Sequence, residues 1–168
     1  MHGRMSINPF VHLDIFGSLM LLFVGIGYAK PVPVDPRNFR YKNADLYVSA
    51  AGPGMNLLLA LIGGIFLHLL SSAGGLSQTA FQLLYLFMLI NMSLCLFNLI
   101  PLGPLDGSYV LPHFLPVDIR RKYQMWNMQY GTHAIMGMLL LSIFLPSWSP
   151  FSWISRLSQG FIGMIISV

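Results

Sequence analysis

Phe97-Asn98-Leu99-Ile100-Pro101-Leu102-Gly103-Pro104-Leu105-Asp106-Gly107 closes an apolar run that begins at Phe81 and passes through Cys95. Asp106 is the only carboxylate between Asp45 and Asp118. A carboxylate carried to membrane depth costs about 2.5 to 3.5 kcal/mol on insertion scales. Such a residue marks a functional site and normally has a partner. The chain offers few partners. Its five acids are Asp14, Asp35, Asp45, Asp106 and Asp118, and it contains no glutamate.

Composition sets the solvent. Of 168 residues, 55% are hydrophobic and 8% charged. Soluble domains carry roughly 25% charged residues, and the mean hydropathy here is +0.68. The expected fold class is therefore an all-α polytopic membrane protein. Residues 1–168 are expected to form one membrane domain. The net charge of +4 does not signal nucleic acid, because the basic residues lie in connections between apolar segments. Cys95 is the single cysteine, sits inside an apolar run and reads as a packing residue. No apolar stretch follows the basic residue of Met1–Phe10 closely enough to read as a cleavable signal peptide.

Five apolar segments predict about four to five transmembrane or re-entrant helices. Ile15–Ala29 is short for a span of about 20 residues. Leu46–Leu70 is long enough, and Ala50-Ala51-Gly52-Pro53-Gly54 near its start offers small residues for close approach. Ala60, Gly63 and Gly64 are expected to pack it against the next helix. Pro53 belongs in the first turns or at a kink. Gln78–Ile100 is stopped by Pro101 and Pro104, and Trp126–Leu145 by Pro146. Phe151–Val168 mixes apolar and polar residues in its first half and suits an interfacial helix as well as a span. Ala29-Lys30-Pro31-Val32-Pro33-Val34-Asp35-Pro36 predicts a short extended edge segment, because alternating prolines enforce extended backbone and remove amide donors. It serves either as a stiff connector or as an edge that accepts an extended peptide.

Charge orients these segments. Lys30, Arg37, Arg40 and Lys42 lie before the second segment, and Arg120, Arg121 and Lys122 after the third. Two crossings separate these connections, so both fall on one side. Seven of the nine basic residues thus share a face, Arg4 and Arg156 being the others. The positive-inside rule makes that face cytoplasmic, and Asp106 follows the third segment toward it. The expected location is a bacterial inner membrane with the site facing the cytoplasm.

A catalytic zinc takes about three protein ligands and a water. His2, His12, His68, His113 and His133 include no i, i+4 pair on one helix face. Pro112 interrupts the path from Asp106 to His113. His68 is expected to be satisfied by polar neighbours, and His133 by an interhelical hydrogen bond.

Four stretches in order carry a family resemblance. They are Asn8-Pro9-Phe10-Val11-His12-Leu13-Asp14, Ala29-Lys30-Pro31-Val32-Pro33-Val34, Ala51-Gly52-Pro53-Gly54-Met55-Asn56, and Asn98-x-x-Pro101-x-x-Pro104-Leu105-Asp106-Gly107. Together they are similar to the motifs of the site-2 proteases, the M50-type intramembrane zinc metalloproteases, of compact bacterial type. The likeness spans roughly Gly3 to Leu111, a site-2-protease-like core, with 112–168 as C-terminal helices. It implies that Asp106 is the third zinc ligand and that Asn56, Asn98, Val32 and Val34 bind substrate. Ser108 stands where the family often has a second glycine. His12 and Asp14 are expected to order their loop.

In that family a preceding helix carries His-Glu-x-x-His, with two zinc ligands and the general base. The 168 residues contain no such motif. The expectation is a family member that is inactive in peptide hydrolysis as this chain stands, with no catalytic residue of its own. Asp106 would be an incomplete metal site that does not bind zinc stably by itself. The implied partners are the lipid bilayer, a protein or a missing N-terminal helix near Asp106, and membrane-protein substrates if active, with no nucleic acid. A non-catalytic scaffold or subunit is the alternative, and an ion- or proton-handling protein using Asp106 a weaker one.

Overall fold

The computed structural model describes residues 43–145, 149 and 151–167. They belong to a unit running from Arg40 to Val168. The segment Ile15–Ala29, the Pro-rich segment with Val32 and Val34, and His12 and Asp14 lie outside the described residues.

All the regular structure among the described residues is helical. Helix α1 is Ala44–Ser72 and α2 is Gln78–Asn98. A single turn, α3, is Gly107–Val110, and a tighter turn at Leu111–Phe114 follows it. Helix α4 is Val117–Trp126. A wide π turn at Asn127–Gly131 leads into α5, Thr132–Phe144. The last helix, α6, is Ser152–Ile166.

Local chemistry explains the boundaries. Asp45 lies in the first turn of α1, where a negative charge complements the helix dipole. Pro53 is buried inside α1, and the helix runs through it. Beyond Ser72 the chain turns on Gly74, whose φ of +68° favours glycine. The Gly74 amide bonds the Ser71 carbonyl and the Gly75 amide the Leu70 carbonyl, each at 3.1 Å. This closes the free carbonyls of the helix end. Ser77 then caps α2, its Oγ accepting from the Ala80 amide at 3.1 Å. The α2 helix stops at Asn98, just ahead of the Pro101 and Pro104 expected to end it.

Helices α1 and α2 are long and apolar enough to cross a membrane. At 1.5 Å per residue they span about 44 and 32 Å, against a hydrocarbon core of about 30 Å. Only 22% of each apolar window is buried within the protein. Leu58, Ile65, Phe66 and Leu69 on α1, and Leu83, Leu86, Ile90 and Leu94 on α2, are exposed. Helix α5 has 13 residues of its own but continues the helical backbone of α4 and the π turn without a break, whereas α6, at 15 residues, is shorter than a full crossing.

The core lies where α1, α2 and α6 meet. Leu67, Met88 and Ile162 are buried together, with Phe81, Leu84, Tyr85, Leu89, Ile165 and Ile166 around them. The small residues act as expected, with a division of labour. A Cβ on Gly63 would meet Met88 Cγ at 2.8 Å and Phe87 Cδ1 at 3.1 Å, so Gly63 admits α2. A Cβ on Gly64 would collide with Ile165 of α6. Ala60 is fully buried. Helix α6 buries the stripe Ile154, Ser158, Ile162 at i, i+4 spacing. Ser158 Oγ and Ser93 Oγ of α2 lie 3.1 Å apart in a hydrogen bond. Cys95 is buried on α2.

Candidate functional site

Asp106 sits at the end of an irregular connection, Leu99–Leu105, and immediately precedes α3. Two prolines deprive this connection of amide donors. Gly103 takes φ +60°, a left-handed conformation that glycine adopts without strain. Gly107 explains the Asp-Gly pair: a Cβ there would strike the Leu99 carbonyl oxygen. Only a residue without a side chain lets α3 start against the end of α2.

The carboxylate of Asp106 is directed at α1. Its Oδ2 lies 3.0 Å from where a Cβ on Gly52 would stand. The structure thus brings together Ala51-Gly52-Pro53-Gly54-Met55-Asn56 and the Asp106 motif, which lie about fifty residues apart in the chain. A larger residue than glycine at 52 would push the carboxylate away. Asn56 is one turn beyond Gly52, on the same side of α1 by helical periodicity. Asn98 is the last residue of α2. Both are partly exposed. Partial burial raises the Asp106 carboxyl above its ordinary value of 3.8. Although Asp106 precedes α3, its side chain makes no capping bond to that turn.

The α4 face holds the connection from another direction. The Tyr123 hydroxyl donates to the Pro101 carbonyl at 3.0 Å, with the Ser108 carbonyl a longer acceptor at 3.4 Å. Burial raises the Tyr123 phenol above its usual value, in keeping with a neutral donor. One helical turn on, Asn127 Oδ1 accepts from the Gly103 amide at 2.9 Å. Its Nδ2 donates to the Gly103 carbonyl at 3.4 Å.

A cleft of about 420 Å³ opens beside this connection, walled in part by Asp45, Ser108, His113, Tyr123, Asn127 and Thr132. Asp106 is not among its walls. Ser108 Oγ is buried and has no hydrogen-bond partner among the described residues. His113 links the segment after Asp106 to the start of α1: Nε2 faces Asp45 Oδ1 at 3.2 Å and Nδ1 the Tyr109 carbonyl at 3.1 Å. This contact places the start of α1 and the segment after Asp106 at one end of the bundle, as the counting of crossings requires. Asp45 is half exposed, so the pair contributes little stability. His68 and His133 are exposed; His68 bonds through its carbonyl, which accepts from Ser72 Oγ at 2.9 Å.

Among the described residues no three His, Cys, Asp or Glu side chains are grouped to hold a metal ion. Asp106 supplies one oxygen donor where catalytic zinc needs about three protein ligands. The described residues by themselves do not fit zinc.

Sequence reasoning singled out Asp106, Asn56 and Asn98 and passed over Tyr123, Asn127 and Gly131. These three recur every four residues, a polar and small stripe at helical spacing where Arg-rich α4 gives way to apolar α5. That stripe was available as a signal. The Asp45–His113 pair, 68 residues apart, had none.

The family model for peptidase family M50 matches residues 70–143, from the end of α1 through the Asp106 connection into α5. The chain is also similar to "Putative zinc metalloprotease YwhC" of Bacillus subtilis (strain 168), with 40% identity over 126 residues. That alignment covers 71% of this chain and 58% of the relative, so the match spans little more than half the relative's length. No solved structure matches the chain.

Proposed function

The chain belongs to peptidase family M50, the site-2 type of zinc metalloprotease, and we propose that it supplies the aspartate arm and the substrate-holding part of an intramembrane peptidase without hydrolysing peptides by itself. The observation that carries this reading is the Asp106 carboxylate seated on Gly52 of α1, in a sequence with no glutamate. Asp106 is the metal-facing side chain. Asn56, one turn from Gly52, and Asn98, at the end of α2, hold the backbone of a substrate, as do Val32 and Val34 of the Pro-rich segment.

Zinc supplies a Lewis acid and an activated water when bound in such enzymes. This chain's contribution is narrower. Its carboxylate is kept partly out of water, which favours pairing with a cation over remaining free. The remaining donors and a carboxylate base have to come from polypeptide other than the described residues. The site faces the cytoplasm of a bacterial inner membrane, a reading supported by the seven basic residues on one face. A non-catalytic scaffold or subunit is the alternative use of the same fold.

The test uses the 168-residue chain in nanodiscs with zinc and a transmembrane peptide substrate. The chain alone is expected to give no turnover. Co-expression with a membrane segment bearing His-Glu-x-x-His is expected to give turnover that Asp106→Asn abolishes. Cleavage by the chain alone, lost in Asp106→Asn, overturns the inactivity. Absence of turnover in both arms, with the added segment shown to bind, favours the scaffold.

A further inference from the structure

We propose that Tyr123 and Asn127 are positioning residues that set the aim of Asp106 by clamping the backbone of the connection that carries it. This rests on the reading of Asp106 as the carboxylate the site presents. The motive is a mismatch between what a metal-directed carboxylate needs and what its own segment provides. Such groups have to be held within about 0.5 Å by supporting contacts. The Leu99–Leu105 connection has no regular structure, two prolines without amide donors, and a glycine in a left-handed conformation.

Asn127 meets that need in a specific way. Its carboxamide pairs with both the amide and the carbonyl of Gly103, as a neighbouring strand would. Tyr123, one turn earlier on the same face, reaches the Pro101 carbonyl ahead of Gly103 and the Ser108 carbonyl beyond Asp106. The two side chains therefore hold the connection on both sides of the aspartate. A Cβ on Gly103 would stand 2.9 Å from the Gly131 carbonyl oxygen, so this close approach also admits only glycine on the loop side.

The backbone of the clamp is built for the purpose. Asn127 to Gly131 is a π turn, a local irregularity that is frequent at functional sites. A Cβ on Gly131 would strike Asn127 Oδ1 and stand 2.8 Å from the Gly103 amide nitrogen. Gly131 thus leaves the space in which the Asn127 carboxamide lies against Gly103. Three residues spaced by one turn, Tyr123, Asn127 and Gly131, act on one short backbone.

The sequence itself supplies a reporter. With only five aspartates in the chain, selective carboxyl-¹³C labelling gives five side-chain resonances, and Asp106→Asn identifies the one to follow. In the full chain in detergent, without added metal, Asn127→Ala and Tyr123→Phe are each expected to shift and broaden the Asp106 resonance. The other four should stay in place. Gly131→Ala should do the same as Asn127→Ala, since it displaces the carboxamide without removing it. Gln124→Ala, an exposed neighbour on the cleft wall, should leave all five unchanged. An Asp106 resonance of unchanged position and width in Asn127→Ala overturns the proposal. Should Asn127→Ala fail to fold, seen as loss of all five positions, Tyr123→Phe decides in the same way. Failure of the metal reading shows elsewhere, as reconstituted cleavage indifferent to Asp106→Asn, and leaves these spectra untouched.

Discussion

At the scale of single residues, the site is written by what glycines leave out. Gly52 leaves room for the Asp106 carboxylate, Gly107 for the Leu99 carbonyl, and Gly131 for the Asn127 carboxamide. The Asp106 carboxyl is raised by partial burial, which gives a definite pH dependence. The folded chain keeps this proton to a higher pH than the unfolded chain does. Stability from this group is therefore greatest below the unfolded value near 3.8 and falls as pH rises through the higher folded value. In zinc-free buffer, Asp106→Asn should raise the melting temperature at neutral pH. The gap between variant and parent should close on acidification toward pH 4. Thermal melts across that range check it, and a variant less stable at neutral pH contradicts the sign. The aspartate and its following glycine were legible in the sequence as a motif. The tyrosine and asparagine that hold the connection were legible only as a stripe at helical spacing; what they grip was not, because their partners are backbone groups of a distant segment, which carry no side-chain signature.

At the scale of the elements, small residues decide which helices touch. Gly63→Leu would drive a side chain into Met88 and Phe87. Overpacking of this kind typically costs about 1–3 kcal/mol, and the melting temperature in detergent should fall. Gly160→Ala on α6 is the contrast, since nothing lies within 4 Å of a Cβ there. It should be neutral or stabilising by up to about 1 kcal/mol, the usual helical gain of alanine over glycine. Equal melts for Gly63→Leu and the parent would remove this packing face. The sequence pointed to Ala60, Gly63 and Gly64 as one packing surface. It did not show that Gly63 serves α2 while Gly64 serves α6, because adjacent residues differ by about 100° around a helix and their partners are chosen by the third helix. The mixed character of Phe151–Val168 is explained by the same contact: Ile154, Ser158 and Ile162 turn inward while Arg156 and Gln159 remain exposed.

At the scale of the whole molecule, the Asp45–His113 contact puts the start of α1 and the segment after Asp106 together, with Gly74 at the far end of α1. A cysteine at Lys122 and one at Gly74, each placed in a Cys95→Ala background, should therefore differ in their access to a membrane-impermeant maleimide added to intact bacteria. Gly74→Cys should be labelled and Lys122→Cys only after the membrane is opened. Labelling of both, or the reverse pattern, contradicts the proposed orientation. Hydropathy, the prolines after α2 and the order of the motifs were sufficient for a helical membrane protein of the M50 family and for Asp106 as its candidate residue. These are properties of chain-local composition and spacing, which solvent and backbone geometry translate directly. The seat of the carboxylate on Gly52, the grip of Tyr123 and Asn127 on its connection and the pairing of Asp45 with His113 depend on how helices distant in sequence come to rest against one another. Packing of that kind is settled by the shapes of several helices at once, so no single stretch of the chain encodes it.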